Sequence, residues 1–219
     1  MTVETLKVWH FAADKLRDGR PLPGRGETLV HDGPVVPCES GLHGSVRALD
    51  ALKYAPGQMV AHCELRGTIV PHGADKHAAS ERHMLTGYVD ATRVLHEFAC
   101  WCATQALDRE EAAGRKVDPR SRAAIACKLA WLDGRATDAE LNAARAAARA
   151  AAWDAAWAAA WDAAMAAARA AAWDAAWAAA RDAARAAAWD AAWDAARAEQ
   201  NAELERRLSA LLESDNGHA

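Results

Sequence analysis

The side chains best suited to chemistry are histidines and cysteines in the first part of the chain. Eight of the nine histidines precede residue 97: His10, His31, His43, His62, His72, His77, His83 and His96. Two stand in informative contexts. His10 ends the apolar run VWH within TLKVWHF, and His43 lies in CESGLHGS. An imidazole titrates near neutral pH and serves as acid, base or ligand. His10 and His43 are therefore the candidate catalytic residues. Cys38, five residues before His43, makes with it a candidate zinc pair, with Cys63 or His62 as further ligands. Zinc needs three or four convergent ligands, and this spacing matches no familiar module. The five cysteines are odd in number and contain no CxxC pair. No basic segment followed by an apolar stretch opens the chain, so a reduced, cytoplasmic setting is expected. Cys100, Cys102 and Cys127 read as small core residues.

Elements that could position these residues follow from the local pattern. Thr5–Phe11 alternates and suits a strand, with His10 near its end. Residues 21–45, rich in Gly and Pro, read as loop with short extended pieces. Ser45 is expected to cap a short helix to Tyr54, stopped by Pro56-Gly57. Met59–Val70 is the best strand candidate, interrupted at Gly67, and Arg82–Val89 a further extended piece. Asp90 is expected to cap a helix to about Ala113 carrying Val94, Leu95, Phe98, Trp101 and Cys102 on one stripe. Asp118-Pro119 opens another helix to about Leu132. The whole is an α+β N-terminal domain over 1–134.

After Gly134 the composition changes. All seven prolines lie before it, and the next glycine is Gly217. Residues 143–198 consist of Ala, Trp, Arg, Asp and one Met, with 36 Ala and 7 Trp. Thr137 and Glu140 form a capping box, and nothing breaks the helix from there to about Leu212. A long Ala-rich helix over 135–213 is thus expected, followed by a disordered tail over 214–219. At ~1.5 Å per residue it would run roughly 110 Å. Its larger residues recur every fourth position and include Trp153, Trp157, Trp161, Met165, Trp173, Trp177, Trp189 and Trp193. Four residues turn a helix by ~400°, so this stripe drifts and is no heptad seam. The unit RAAAWDAAWAAA recurs identically at 149–160 and 169–180, which turns successive Trp pairs to nearly opposite sides. Exposed, seven Trp would forgo burial worth tens of kcal/mol at ~25 cal/mol per Å². The eight residues are therefore the candidate interaction surface, with a second copy of the chain or a host protein as partner.

Charge narrows the classes. A formal net charge of −4 argues against a general nucleic-acid binder, and the Asp beside the Trp pairs would repel phosphate. No charge-free run of ~18 apolar residues exists, so no membrane partner is expected.

Two resemblances add to this reading. The order of strand-His, Gly-Leu-His at a loop end, short helix ending in Tyr-Ala and then a strand resembles the ADP-ribosyltransferase superfamily core over roughly residues 5–70. There a His on the first strand holds the nicotinamide ribose. A Tyr, or a His in the RNA 2′-phosphotransferase branch, follows in a Gly-hydrophobic-aromatic motif. The resemblance implies His10 and His43 as the matched positions and NAD as the cofactor. The third catalytic element, usually a Glu, has no matched position; Glu64 and Glu97 are the available ones. Separately, the pattern VPCESGLHGS…ALDALKYAPG…VAHCELRGTIV…DKHAASERHML, with the Ala-rich tetrapeptide tail, is similar to an uncharacterised domain of phage and actinobacterial proteins. It implies a phage or mobile-element origin in a GC-rich host. The first expectation is a non-enzymatic accessory protein without cofactor, with an anti-defence role, acting in the host cytoplasm through helix-driven oligomerisation or partner binding. The alternatives are a transferase in the N-terminal domain and a structural virion or scaffold component.

Overall fold

The period-two patterns of the first ninety residues become one antiparallel sheet. The computed structural model describes residues 5–170 and 175–216, with side chains for 5–154 and 194–215. By contacts the chain divides into two compact units, one of residues 1–96 with 198–219 and one of residues 97–197. The change of composition at Gly134 marks neither boundary, because composition is local and compactness depends on which segments pack together. The architecture is α+β: an antiparallel sheet with helices, followed by further helices.

In the sheet unit, β1 (Leu6–Ala12) lies antiparallel to β4 (Met59–His72), with Leu6 opposite Leu65 and His10 opposite Ala61. β4 turns back into β5 (Lys76–Met84), where Cys63 faces Met84 and Leu65 faces Arg82. Two three-residue strands share the other edge of β5: β2 (Thr28–Val30) and β3 (Leu42–Gly44). β6 (Val89–Asp90) pairs with the start of β4. Residues opposite one another share a face. Val8, Ala61, Cys63, Leu65 and Met84 accordingly form a buried core with Ala79.

Two glycines allow this curvature. Gly67 does not interrupt β4. It sits at the bulge between Arg66 and Ile69 with φ +73°, where a side chain would collide with Ser80. Gly44 ends β3 against β1, and a Cβ there would lie 2.9 Å from the Val8 Cβ. That approach lets Trp9 and Ser45 exchange backbone hydrogen bonds of 2.8 and 3.1 Å, which brings β3 back onto β1. The sheet therefore curls on itself. Ser45, expected as a helix cap, is a strand-bridging residue instead.

The short α1 (Ala48–Lys53) begins after Arg47 and has no side-chain cap from its own segment. Its donors are met from far along the chain. The Ala48 amide donates to Glu205 Oε1 and the Leu49 amide to Asn201 Oδ1, both at 3.1 Å. These acceptors belong to α5 (Ala175–Asn216), whose last part is in the sheet unit, with Leu204, Leu208 and Leu212 buried. The expected tail at 214–219 is helical through Asn216. The extended piece expected at 82–89 lies earlier, because pairing with β4 starts β5 at Lys76.

The other unit is helical. α2 (Thr92–Ala112) enters it from Glu97 onward, burying Phe98 and Cys100; α3 (Pro119–Leu132) and α4 (Asp138–Ala170) follow. Asp118 caps α3 by accepting from the Arg120 amide at 2.8 Å. Thr137 and Glu140 make the reciprocal capping box at the start of α4, with bonds of 2.8 and 3.2 Å. Trp131 donates to Asp138 at 2.7 Å and lies under the Lys128 ammonium. Among the described residues no helix is long and apolar enough to cross a membrane.

Candidate functional site

His10 and His43 come to one cavity. β1 carries His10 opposite Ala61, and β3 carries His43 opposite Ala78. On β5, Lys76, Ala78 and Arg82 stand at even spacing and share a face. Register therefore gathers two imidazoles, an ammonium and a guanidinium from three strands. They line a cavity of about 540 Å³ in the sheet unit, with Tyr54 from the end of α1 and Cys38 from the loop before β3. Its volume suits a small-molecule site.

The cavity is basic. Lys15, Arg17, Arg20, Lys76 and Arg82 line it against two acids, Asp18 and Glu39. Asp18 is already bound to Arg20 at 2.7 Å. Arg82 is only 3% exposed and donates from Nη1 to the His43 carbonyl at 3.0 Å, while its Nε has no hydrogen-bond partner among the described residues. Lys76 is 9% exposed, with its ammonium 3.1 Å from Cys38 Sγ and 4.3 Å from the centre of the Tyr54 ring. Among the described residues, neither cation has a carboxylate partner.

Burial and these charges together act on the histidines. Burial first, then Arg82 and His43, hold the His10 pKa well below the ordinary histidine range. His43 is lowered by burial, then by Lys76, Arg82, Arg17 and His72. Both rings are consequently neutral at pH 7, each with one donor and one acceptor nitrogen. The Tyr88 hydroxyl lies 2.6 Å from His10 Nδ1. Burial pushes the Tyr88 pKa far up, so it keeps its proton. With that proton donated to Nδ1, the His10 tautomer carries its hydrogen on Nε2. His43 Nε2 accepts from the Cys38 amide at 3.3 Å.

The zinc reading is not supported by this geometry. Among the described residues no group of three or more His, Cys, Asp or Glu is arranged to hold a metal. The ammonium of Lys76 lies against the Cys38 thiol, where it would oppose a dication. Cys63 is sealed in the core against Met84, with its pKa pushed up to about 11 by burial. His62 stacks on Trp9, with ring centres 4.8 Å apart. Glu64 is held by Arg66 at 2.6 Å and does not line the cavity.

Sequence reasoning missed Lys76, Arg82, Tyr54 and Tyr88. The usable signal was KHAASERHM, whose Lys and Arg are six apart and so share a strand face. Of the candidate interaction residues, Trp153 is 71% exposed. Trp157, Trp161, Met165, Trp177, Trp189 and Trp193 lie where only the helical backbone is described, and Trp173 lies outside the described residues.

No curated protein and no solved structure matches the chain. The stretch that contributes most of the cavity does have a counterpart: residues 9–97 match the family model of a domain of unknown function, DUF7666.

Proposed function

We propose that the sheet unit is a binding module for a phosphate-bearing ligand of nucleotide size, seated in the His10–His43 cavity. One observation carries this reading: two nearly buried cations, Arg82 and Lys76, line the cavity, and among the described residues neither is paired with a carboxylate. Burying an uncompensated charge costs several kcal/mol, which a bound anion offsets. Neutral His10 and His43 add donors and acceptors without further charge. The resemblance to the ADP-ribosyltransferase core supports the same cavity, with NAD as the natural first ligand.

Titration calorimetry of the full chain with NAD, ADP and uncharged adenosine tests the reading. NAD and ADP are expected to bind and adenosine not. Raising salt should weaken binding, and Lys15→Ala with Arg17→Ala should weaken it further. Equal binding of adenosine, or none of the anions binding, would overturn the proposal. Release of nicotinamide from NAD with the ADP-ribosyl group recovered on an acceptor would extend it to a transferase.

A second reading concerns the Ala/Trp segment. The exposure of Trp153 supports an interaction arm, through which a phage or mobile-element accessory protein, or a virion component, would assemble with itself or a host protein. Light scattering of the full chain should show mass rising with concentration, and Trp153→Ala with Trp157→Ala should abolish the rise. A single-chain mass at every concentration, with no partner bound, counts against it.

A further inference from the structure

Cys38 differs from the other cysteines. Cys63 and Cys100 are buried, whereas Cys38 is exposed at the cavity wall. Its backbone is held at φ +72°, and among the described residues it is the one non-glycine with positive φ. Lys76 Nζ donates to its sulphur at 3.1 Å, and His72 Nε2 lies 3.5 Å from the same atom. A thiolate is the nucleophilic form of cysteine. Nucleophile, base and counter-charge are thus in contact. The observation that points to a ligand is independent of this cluster: Arg82, 3% exposed and with an unpartnered Nε, lines the same cavity.

We propose that Cys38 is a covalent nucleophile toward mixed carboxylic–phosphoric anhydrides, the acyl phosphates. The inference rests on the anion-binding reading above. A phosphate held by the basic cavity places its acyl carbon within reach of the thiol. His72 Nε2 takes the thiol proton. The sulphur attacks the acyl carbon, a C–S bond forms, and the C–O bond to phosphate breaks. Phosphate leaves with that electron pair and takes the proton from His72. The products are a thioester on Cys38 and inorganic phosphate, and no oxidant or reductant is involved. Lys76 is the counter-charge of the thiolate, and Arg82 stabilises the departing phosphate.

The probe is acetyl phosphate, added to the full chain and followed by intact mass and peptide mapping. One acetyl group is expected on Cys38, faster than on any lysine or on Cys127, and neutral hydroxylamine should remove it as it does a thioester. Inorganic phosphate should compete. His72→Asn should slow acylation by roughly a hundredfold or more, in line with general-base contributions, and Lys76→Met should slow it too. Cys38→Gly, which suits the positive φ, should abolish it. Binding of inorganic phosphate to the unaltered protein is measured beside this. If phosphate does not bind, the anion-binding reading fails. If phosphate binds and acylation of Cys38 is no faster than that of Cys127, the nucleophile assignment alone fails.

Discussion

Removing residues 198–219 is expected to unfold the sheet unit, although the cut lies a hundred residues beyond its last strand. Leu204, Leu208 and Leu212 are spaced by four, fall on one helix face and are buried. A buried Leu truncated to Ala typically costs about 2–5 kcal/mol. Leu204→Ala with Leu208→Ala should therefore remove much of a stability that is about 5–15 kcal/mol for a domain. The cut also removes Asn201 and Glu205, leaving the Ala48 and Leu49 amides of α1 without partners. The end of α1 carries Tyr54 to the cavity, so ligand binding should weaken along with stability. Urea denaturation followed by near-ultraviolet circular dichroism is the measurement. An unchanged midpoint after truncation would show that the last helix contributes nothing to the sheet unit.

Arg82→Met should act in opposite directions on stability and on binding. In the ligand-free protein Arg82 is a nearly buried cation with one hydrogen bond to the His43 carbonyl. Losing that bond costs about 1 kcal/mol. Relief of a desolvated charge by an apolar side chain of similar length is worth more, for a net gain of about 1–3 kcal/mol. Phosphate-induced stabilisation should vanish in the same variant. The acid side should change as well. His10 has a folded pKa below its unfolded value, so the unfolded chain takes up protons first as pH falls through about 6.5. Stability present above that pH is then lost toward pH 5, before the carboxylates titrate. Arg82 is the second cause of the His10 shift after burial, so its removal should shrink this loss without abolishing it. Thermal unfolding at pH 7.5 and 5.5, with and without phosphate, reads all three effects. A destabilised variant that still binds phosphate would contradict the assignment of Arg82.

The local elements were legible where local chemistry decides them. Asp118-Pro119 and the Thr137–Glu140 box begin helices as their side chains require. The alternation of TLKVWHF became β1, and MVAHCELRGTIV became β4. Ser45 was misread because Ser suits a cap and a strand bridge equally, and Gly44 beside Val8 favoured the bridge. The helix is expected as one element over 135–213, yet its last part, AEQNAELERRLSALLE, departs from the Ala/Trp alphabet of 143–198. Its leucines were the available sign that the last turns pack differently.

His10 and His43 stand out as candidates from motif context alone, together with the cap residues and the four-residue Trp lattice. All of these depend on neighbours within a few positions. That Lys76 and Arg82 join them depended on the register of β5 against β3, whose paired residues lie more than thirty positions apart. The same holds for α5, whose Asn201 and Glu205 complete a helix more than 150 residues upstream. Side-chain type and spacing specify what a segment can become. Long-range pairing decides which strand faces meet around one cavity, and so which side chains join the charges that spacing had already put on one face.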